Sequence, residues 1–470
     1  MIRWVSLLGV VLGGCAVVGS EEARQQVQDA VDLRLGESMS LDPEGGAQAV
    51  ARSVFQDGRL TADEAVRLSL ANNAGLRAVL AELEIARADL WGATLPPNPV
   101  VDAELEFLES DGGEVLELAV AQSIIDVLLI PRRRQVAAEQ FEAERARVTS
   151  AVLDLAVEVR IAYRTLQAQL ELVGLFRSAT DATYFSYDAA RRLRDAGNIN
   201  ELEFLREQAL YEDAKLALVE ARVMVAKQRE GLNALLGIWG AEGAAWEVEP
   251  RLPFPPPLDV DPDGLESAVL ASSLDLEAKR HQITALGHAL GLERLEVMFP
   301  EGAVGVTAAR EADGTWGVGP LVSFSVPVFD YGQAASAGAR ARLEQAYAEY
   351  TDLAIRLRRS TRATYLETHA ARESSRYFLD VVLPLRASVT EQTQRQFNAM
   401  QLGVFQLLEA RRRELDAGRR YVEALLAHWT ARAQLEALLL GRMPVQRFGI
   451  SNLQGGGLPG MEGGGSPGGH

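Results

Sequence analysis

The sequence predicts a mostly α-helical protein with a small antiparallel β part, built as a tandem repeat of very long coiled-coil helices and short strands. Three observations predict it. Residues 132–195 contain no proline, and as one α-helix at 1.5 Å per residue they would extend roughly 95 Å, further than a globular core can cover. Within them Val148, Val152, Leu155, Val159, Ala162, Leu166, Leu170 and Val173 step by three and four, the seam of a helix lying along partner helices. The order helix, hairpin, long helix, return helix then occurs twice, its closing glycines Gly237 and Gly441 standing about 204 residues apart, the mark of a repeat.

Composition narrows the function. A net charge of −18 and a pI near 4.9 exclude nucleic acid, because a phosphate-binding surface needs clustered Lys and Arg. Aromatic residues are 6% of the chain and Ala, Leu, Glu and Arg dominate, the mixture of long helices. No nucleophile elbow, paired-carboxylate signature or zinc motif is present in the sequence, so neither an enzyme nor a cofactor is expected. His281 and His288 are seven apart without a ligand-type array nearby, so no metal site is expected. Gly317-x-Gly319 falls inside a predicted strand and is not a phosphate loop.

Taken in order, residues 1–14 read as a signal peptide: Met1-Ile-Arg3, an apolar run from Trp4 to Leu12, then small residues. The run of about nine residues is too short to span a bilayer. Leu12-Gly13-Gly14-Cys15 resembles the lipobox of bacterial lipoproteins. That resemblance implies a diacylglycerol thioether on Cys15, the sole cysteine, and sorting to the outer membrane, since Ala16 rather than Asp follows it. Residues 15–59 read as a lipidated strap. Repeat 1 covers 60–237. Its first helix opens on Thr61 with Glu64 in the capping-box position and stops at Pro96-Pro97; a hairpin at 100–124, the long helix 132–195 and a return helix 199–237 follow. The hairpin is read from Val101, Ala103, Leu105 and Phe107 alternating with Asp102, Glu104 and Glu106, and from Leu116, Leu118 and Val120 alternating with Glu117, Ala119 and Ala121. Residues 238–262, with Pro250, Pro253 and Pro255-Pro256-Pro257, form a stiff linker. Repeat 2 covers 263–441, with a hairpin at 303–327, a long helix 334–399 and a return helix 403–441, and residues 442–470 are a Gly-rich tail expected to be disordered.

In each repeat the first and return helices together match the long helix in length, so two half-length helices can stack along one full-length helix, with the hairpin at one end of a rod. Strands of about ten alternating residues have the length that crosses an outer membrane at a tilt. Four strands cannot close, and an open edge in lipid leaves backbone groups unpaired, so the chain must assemble. A dimer gives about eight strands with a filled interior and a trimer about twelve with room for a water-filled lumen. Asp102, Glu104, Glu106 and Glu117 suit such a lumen; a soluble sheet half buried on helices is the alternative. Trp91, Phe107, Trp316, Phe329 and Tyr331 flank the strands as interface girdles or as packing. Arg132, Arg133 and Arg134 open a helix, where the macrodipole disfavours cations, which makes lipid phosphate a candidate partner, with a plain solvated charge run the alternative.

Leu60-Thr-Ala-Asp-Glu-Ala-Val-Arg-Leu-Ser-Leu-Ala-Asn-Asn73, Ala86-Arg-Ala-Asp-Leu90 and Leu95-Pro-Pro-Asn-Pro99 resemble the opening of TolC-like outer-membrane factors, and Ser325-Val-Pro-Val-Phe-Asp330 and Leu407-Leu-Glu-Ala-Arg411 resemble the second-repeat motifs. The resemblance covers nearly the whole mature chain. It implies a long α-helical coiled-coil barrel joined to a transmembrane β-barrel formed by a homotrimer, set in the bacterial outer membrane and extending into the periplasm. It also implies a periplasmic adaptor (membrane fusion) protein and an inner-membrane pump of RND or ABC type as partners, with small molecules or metal ions leaving through a passive duct. Type I secretion and a lipid-anchored periplasmic coiled-coil scaffold are the alternatives. By the same resemblance Gly197, Asn198, Met400 and Gln401 form the tip turns that meet the adaptor, and Gln406, Glu409 and Arg411 the periplasmic gate. Two positions depart from the family pattern: Met400 stands where a glycine is usual, and Gln406 where an acidic residue is usual.

Overall fold

The computed structural model describes residues 19–36, 58–107, 114–240, 243, 246–257, 261–298, 302–311, 313–326 and 328–443. The expectations for the leader and Cys15, for most of the strap, for the turn at 111–113 and for the tail beyond 443 lie outside the described residues. In chain order the elements are α1 (Ser20–Leu35), α2 (Ala62–Asn72), α3 (Ala74–Gly92), β1 (Val100–Phe107), β2 (Glu114–Ser123), α4 (Ile124–Asp195) and α5 (Glu201–Leu236). After the linker come α6 (Leu265–Ser272), α7 (Leu274–Met298), β3 (Gly302–Arg310), β4 (Trp316–Phe324), α8 (Gln333–Tyr377), a π-helical turn (Phe378–Val382), α9 (Leu383–Asn398) and α10 (Val404–Leu439). Helix, hairpin, long helix and return helix thus follow one another twice among the described elements.

The boundaries differ at four places. The long helix starts at Ile124 rather than 132 and carries Pro131 inside it. Ser123 caps it, its Oγ accepting the Asp126 N–H at 3.3 Å, so β2 runs straight into helix and the proline is absorbed near the start, where it removes a single backbone bond. The second long helix is interrupted by the π turn ahead of Pro384, with the Leu383 N–H reaching back to the Phe378 carbonyl. The expected single helices before each hairpin are each broken once, at Asn73 and at Ser273, both extended with ψ near 120° (120 and 115). Finally, the two repeats are not two compact bodies. Of the described residues, those within 1–30, 77–150 and 274–356 form one unit and those within 31–76, 151–273 and 357–470 the other, because helices as long as α4 contribute to both.

The break at Asn73 has a purpose within the second unit. Helix α5 ends at Gly237 in the left-handed region (φ 69°), which leaves its last carbonyls without helical donors. Asn72 Nδ2 donates to Leu236 O and Gly237 O at 3.2 and 2.7 Å, Asn73 Nδ2 to Leu235 O at 2.9 Å, and Ser69 Oγ to Leu235 O at 2.7 Å. A Cβ on Gly237 would stand 2.7 Å from the Asn72 carbonyl oxygen, so glycine is required both by φ and by this approach. The expected capping box opens α2, with the Glu64 N–H on Thr61 Oγ1 at 3.3 Å and the Thr61 N–H on Glu64 Oε2 at 2.9 Å.

The core of this unit is a helical seam. Val148 and Val152, on either side of the unit boundary, and Val159 and Leu166 within it are fully buried on α4. A cluster of Ala168, Leu172, Leu252, Val422, Leu425 and Leu426 joins α4, the linker and α10. The Pro-rich linker is strapped down through its carbonyls, the groups that proline retains: Trp429 Nε1 donates to Pro253 O at 2.9 Å and Arg372 Nε to Pro256 O at 3.0 Å. Trp246 is wholly buried, with Nε1 bonded to Asn233 Oδ1 at 3.1 Å. Arg442 grips Asp154 through two bonds of 2.9 and 2.5 Å.

In the first unit the four strands form one antiparallel sheet in the order β1-β2-β3-β4. Gly305 lets β2 and β3 come together: a Cβ there would lie 2.1 Å from the Val120 carbonyl oxygen.

Candidate functional site

The register divides the sheet into two faces. Leu105 opposes Leu116, which opposes Arg310, which opposes Trp316; the next rows on the same face are Ala103, Leu118, Ala308 and Val318, then Val101, Val120, Val306 and Pro320. Val304 with Val322 and then Gly302 with Phe324 complete that face. The other face carries Asp102, Glu104, Glu106 and Glu117 from the first hairpin and Ala303, Gly305, Thr307, Ala309, Gly317 and Gly319 from the second. The sequence alternation is thus realised as one apolar face and one acidic and small-residue face. From Trp316 to Phe324 on β4 the apolar face runs roughly 26 Å along the strand, or about 20 Å upright at a tilt near 40°.

That apolar face is exposed: Val101 is 68%, Val318 73% and Phe324 73% accessible. Neither β1 nor β4 has a second neighbour strand among the described residues. A contiguous apolar face of this extent is an interaction surface, and two open edges of matching length are templates for pairing with another chain. In the helical part, α5 likewise leaves Leu202, Leu205, Leu216, Val219 and Val223 exposed. In one chain they form an uncovered stripe. The α8 to α9 stretch does the same with Leu366, Tyr377, Leu385 and Val389.

The basic run after β2 is split by its surroundings. Because the helix begins at Ile124, Arg132, Arg133 and Arg134 do not open it as expected but lie beyond its first two turns, where the dipole no longer disfavours cations. Arg133 is half-buried and pairs with Asp126 at 2.5 Å and Glu296 at 3.2 Å. Those bonds raise the Arg133 pKa against its burial, and the hydrogen bonds from Ser123 and Arg133 hold the Asp126 carboxyl below its ordinary value. Arg132 reaches Gln135, and Arg134 is exposed without an ion-pair partner among the described residues. Trp91, Phe107, Trp316, Phe329 and Tyr331 are all exposed.

In the second unit the two turns share one geometry. Gly197 has φ 74°, and the Asn198 N–H bonds back to Leu193 O at 2.8 Å. Met400 has φ 58°, and the Gln401 N–H bonds back to Gln396 O at 2.9 Å. Both are the helix-ending motif that places a left-handed residue after the last turn. Met400 is the non-glycine residue with positive φ among those described, and it is 95% exposed. Asn200 caps α5 with a full capping box, whereas Gly403 begins α10 with no side-chain cap.

Just beyond the second turn Gln406 is exposed. Glu409 pairs with Arg413 at 2.8 Å and Arg412 at 4.0 Å, and Arg411 with Glu414 at 2.9 Å, all along α10 itself. Glu409 also borders a cleft of about 120 Å³ between α4, α5 and α10, with Ser186, Glu207, Phe405 and Arg412 among its walls. Sequence reading missed the charged group deeper on α10: Asp416 is buried and held by Arg419 and Arg420 at 3.0 Å each. A carboxylate followed three and four residues later by arginines was the available signal.

His281 lies on α7 with Nδ1 2.6 Å from Glu139 Oε2. Among the described residues no group of three or more His, Cys, Asp or Glu side chains is arranged to hold a metal, and no helix is long and apolar enough to cross a membrane.

The outer membrane efflux protein family profile matches residues 65–238. The cobalt-zinc-cadmium resistance protein CzcC of Cupriavidus metallidurans is 24% identical over 387 residues, 81% of this chain and 90% of that protein. Among solved structures, the CmeC outer membrane channel of Campylobacter jejuni superposes with a TM-score of 0.67 at 15% identity, covering 84% of this chain and 89% of that one. The outer membrane protein VceC of Vibrio cholerae gives 0.67 at 15% identity, with 82% and 97% covered. These likenesses show the fold: mostly helical with a small antiparallel sheet.

Proposed function

The chain belongs to the outer membrane efflux protein family, and from that premise we propose that it is the passive exit duct of a tripartite efflux system, moving small cations, divalent metal ions among them. Channels of this family are trimers that work with an adaptor and an inner-membrane pump. The observation that carries the proposal is the split-faced sheet with two open edges. Pairing β4 of one copy with β1 of the next in a ring of three removes every edge, turns the apolar face to lipid and the acidic face to water. Repeated around the ring, Asp102, Glu104, Glu106 and Glu117 give the lumen a negative potential that concentrates cations and repels anions. The CzcC relative, described as a cobalt-zinc-cadmium resistance protein, supports metal cations as cargo.

The exposed stripes on α5 and on α8 to α9 supply lateral seams that close the helical part in the same ring. Gly197, Asn198, Met400 and Gln401 meet the adaptor, an assignment supported by the exposed left-handed turn at Met400. Gln406, Glu409 and Arg411 line the entrance; with Glu409 already paired to Arg413, the mutual repulsion of three copies, about 4 kcal/mol per close pair at an effective dielectric near 20, is largely relieved. Arg132 and Arg134 face inner-leaflet lipid phosphate, and Cys15 carries the lipid anchor. The pump is of RND or ABC type.

Purified trimer reconstituted in a planar bilayer tests the reading. Cation-selective conductance is expected, with Glu104→Gln/Glu117→Gln lowering the selectivity and Glu409→Ala lowering it further. A chain that forms no heat-modifiable trimer, or a channel whose selectivity ignores all three carboxylates, overturns it.

A further inference from the structure

The apolar sheet face carries one cation, and its place in the register is specific. Arg310 is the last residue of β3, in the row that closes the β3–β4 ladder at its turn and one row short of Phe107 and Glu114 in the first hairpin, with Leu116 directly across on β2 and Trp316 directly across on β4. Its side chain is exposed and makes no hydrogen bond or ion pair with any described residue. The rows below it on β3 are Ala308, Val306, Val304 and Gly302, with no charge among them. A lipid-facing arginine is costly at the bilayer midplane and close to neutral at its edge, and its apolar stem can lie along Leu116 and Trp316 while the guanidinium reaches out to the headgroup level. Tryptophan at the same height is the side chain that favours that level.

Topology decides which edge this is. Both hairpin turns lie at the Arg310 end of the sheet, and α3, α4 and α7 join it at the other. With an exported chain whose helices stand in the periplasm, the Arg310 end meets the outer leaflet. We propose that Arg310 binds the phosphorylated sugar headgroup of the outer-leaflet glycolipid, one molecule per chain, and so fixes the outer edge of the membrane belt. The proposal rests on the barrel reading above. A guanidinium presents a planar fork of donors matched to two phosphate oxygens. Glu114 lies diagonally on β2 on the same face, one row nearer the turn, and forms no ion pair with Arg310; its charge opposes a bound phosphate.

The test uses native mass spectrometry of the detergent-purified trimer with bis-phosphorylated lipid A as the probe. Wild type is expected to retain up to three lipids, Arg310→Gln to lose about tenfold in affinity, the range of a charge-assisted hydrogen bond, Arg310→Lys to keep part of it, and Glu114→Gln to gain. Dephosphorylated lipid A should bind the wild type as weakly as lipid A binds Arg310→Gln. The proposal is overturned if Arg310→Gln forms the heat-modifiable trimer and retains lipid A undiminished, if removing the phosphates changes nothing, or if phosphatidylglycerol competes equally, which would remove the outer-leaflet assignment. A wild-type chain that forms no heat-modifiable trimer overturns this proposal and the barrel reading together, so the two failures are distinguishable.

Discussion

Replacing Met400 by glycine should make the second tip turn more stable. Met400 sits at φ 58°, where a side chain places Cβ against the following carbonyl at a cost of roughly 1–2 kcal/mol. At 95% exposure the side chain gives almost no burial in return. Glycine removes the strain but adds freedom to the unfolded chain worth about 0.4–1 kcal/mol, so the net gain is about 0.5–1 kcal/mol. Because the turn is held by the Met400 N–H on Phe397 O and the Gln401 N–H on Gln396 O, both at 2.9 Å, that gain should appear as local opening slowed by about two- to fivefold. Hydrogen exchange at residues 400 and 401 reads it directly. Met400→Ala keeps the strained φ and should change little, whereas Gly197→Ala in the matching turn, at φ 74°, should speed exchange. Faster exchange in Met400→Gly, or equal slowing in Met400→Ala, would refute the strain argument. If the thioether is an adaptor contact, the same glycine variant will combine a steadier turn with weaker adaptor capture, a pairing that loss of structure could not produce.

Asn72→Ala removes both donors on the Leu236 and Gly237 carbonyls and should destabilise the chain by about 1–3 kcal/mol, read as a lower denaturation midpoint; an unchanged midpoint would mean water replaces the amide at no cost. His428 is buried, with Nδ1 3.3 Å from Thr368 O and no partner for Nε2, and burial holds its pKa below the ordinary value despite the Thr368 carbonyl, with Arg432 and Arg372 adding to the lowering. The unfolded chain therefore takes up a proton below about pH 6.5 that the folded chain refuses, so stability is full above that pH and falls as the pH drops toward the depressed folded value, by up to ~1.4 kcal/mol per pH unit per copy. Thermal melts between pH 7.5 and 5 should flatten in His428→Asn, and parallel slopes would exclude His428 as the source. Cys15→Ser should abolish palmitate labelling of the exported protein; labelling that survives removes the lipid anchor.

Most of the fold was legible because its signals are local and periodic. The seam at Val148, Val152, Val159 and Leu166, the Thr61 capping box and the alternation of Asp102, Glu104 and Glu106 each fix an element through neighbours a few residues apart. What was not legible depends on partners outside the periodic pattern, some of them distant in sequence. Pro131 reads as a helix stop until Ser123 is seen capping the helix before it. The break at Asn73 follows from the carbonyls of Leu235 to Gly237, more than 160 residues on. Of the three arginines at 132–134, Arg133 alone has its charge answered among the described residues, by Asp126 nearby and by Glu296 from the other repeat. In the candidate site, the turns at Gly197 and Met400 were expected from the family resemblance, since Met400 carries no turn signal of its own. The stripe from Leu202 to Val223 reads as a seam in sequence, and a heptad pattern does not say whether its partner belongs to the same chain or another.

The two repeats preserve backbone devices and diverge on surfaces. Gly237 and Gly441 both end return helices at positive φ (69° and 92°), and Asn73 and Ser273 break the first helices alike. The hairpins, by contrast, put carboxylates on the acidic face among the described strand residues only in the first repeat, where the second has Ala303, Gly305, Thr307 and Ala309. A ring of three chains would therefore have three acidic sectors alternating with three small-residue sectors, and the sixfold regularity that the repeats alone would give is broken at the lumen. The register sharpens this. Glu104 stands directly opposite Glu117, a like-charged cross-strand pair that opposes sheet formation, and the one hydrogen bond given to it is from Thr307 Oγ1 to Glu117 Oε1 at 3.1 Å. Such a pair is tolerable where water screens both carboxylates and prohibitive against lipid or a packed core. The juxtaposition of Glu104 and Glu117 thus argues for a wet face independently of any likeness to other proteins, and leaves the opposite face, with Val101, Val318 and Phe324, as the one to be covered.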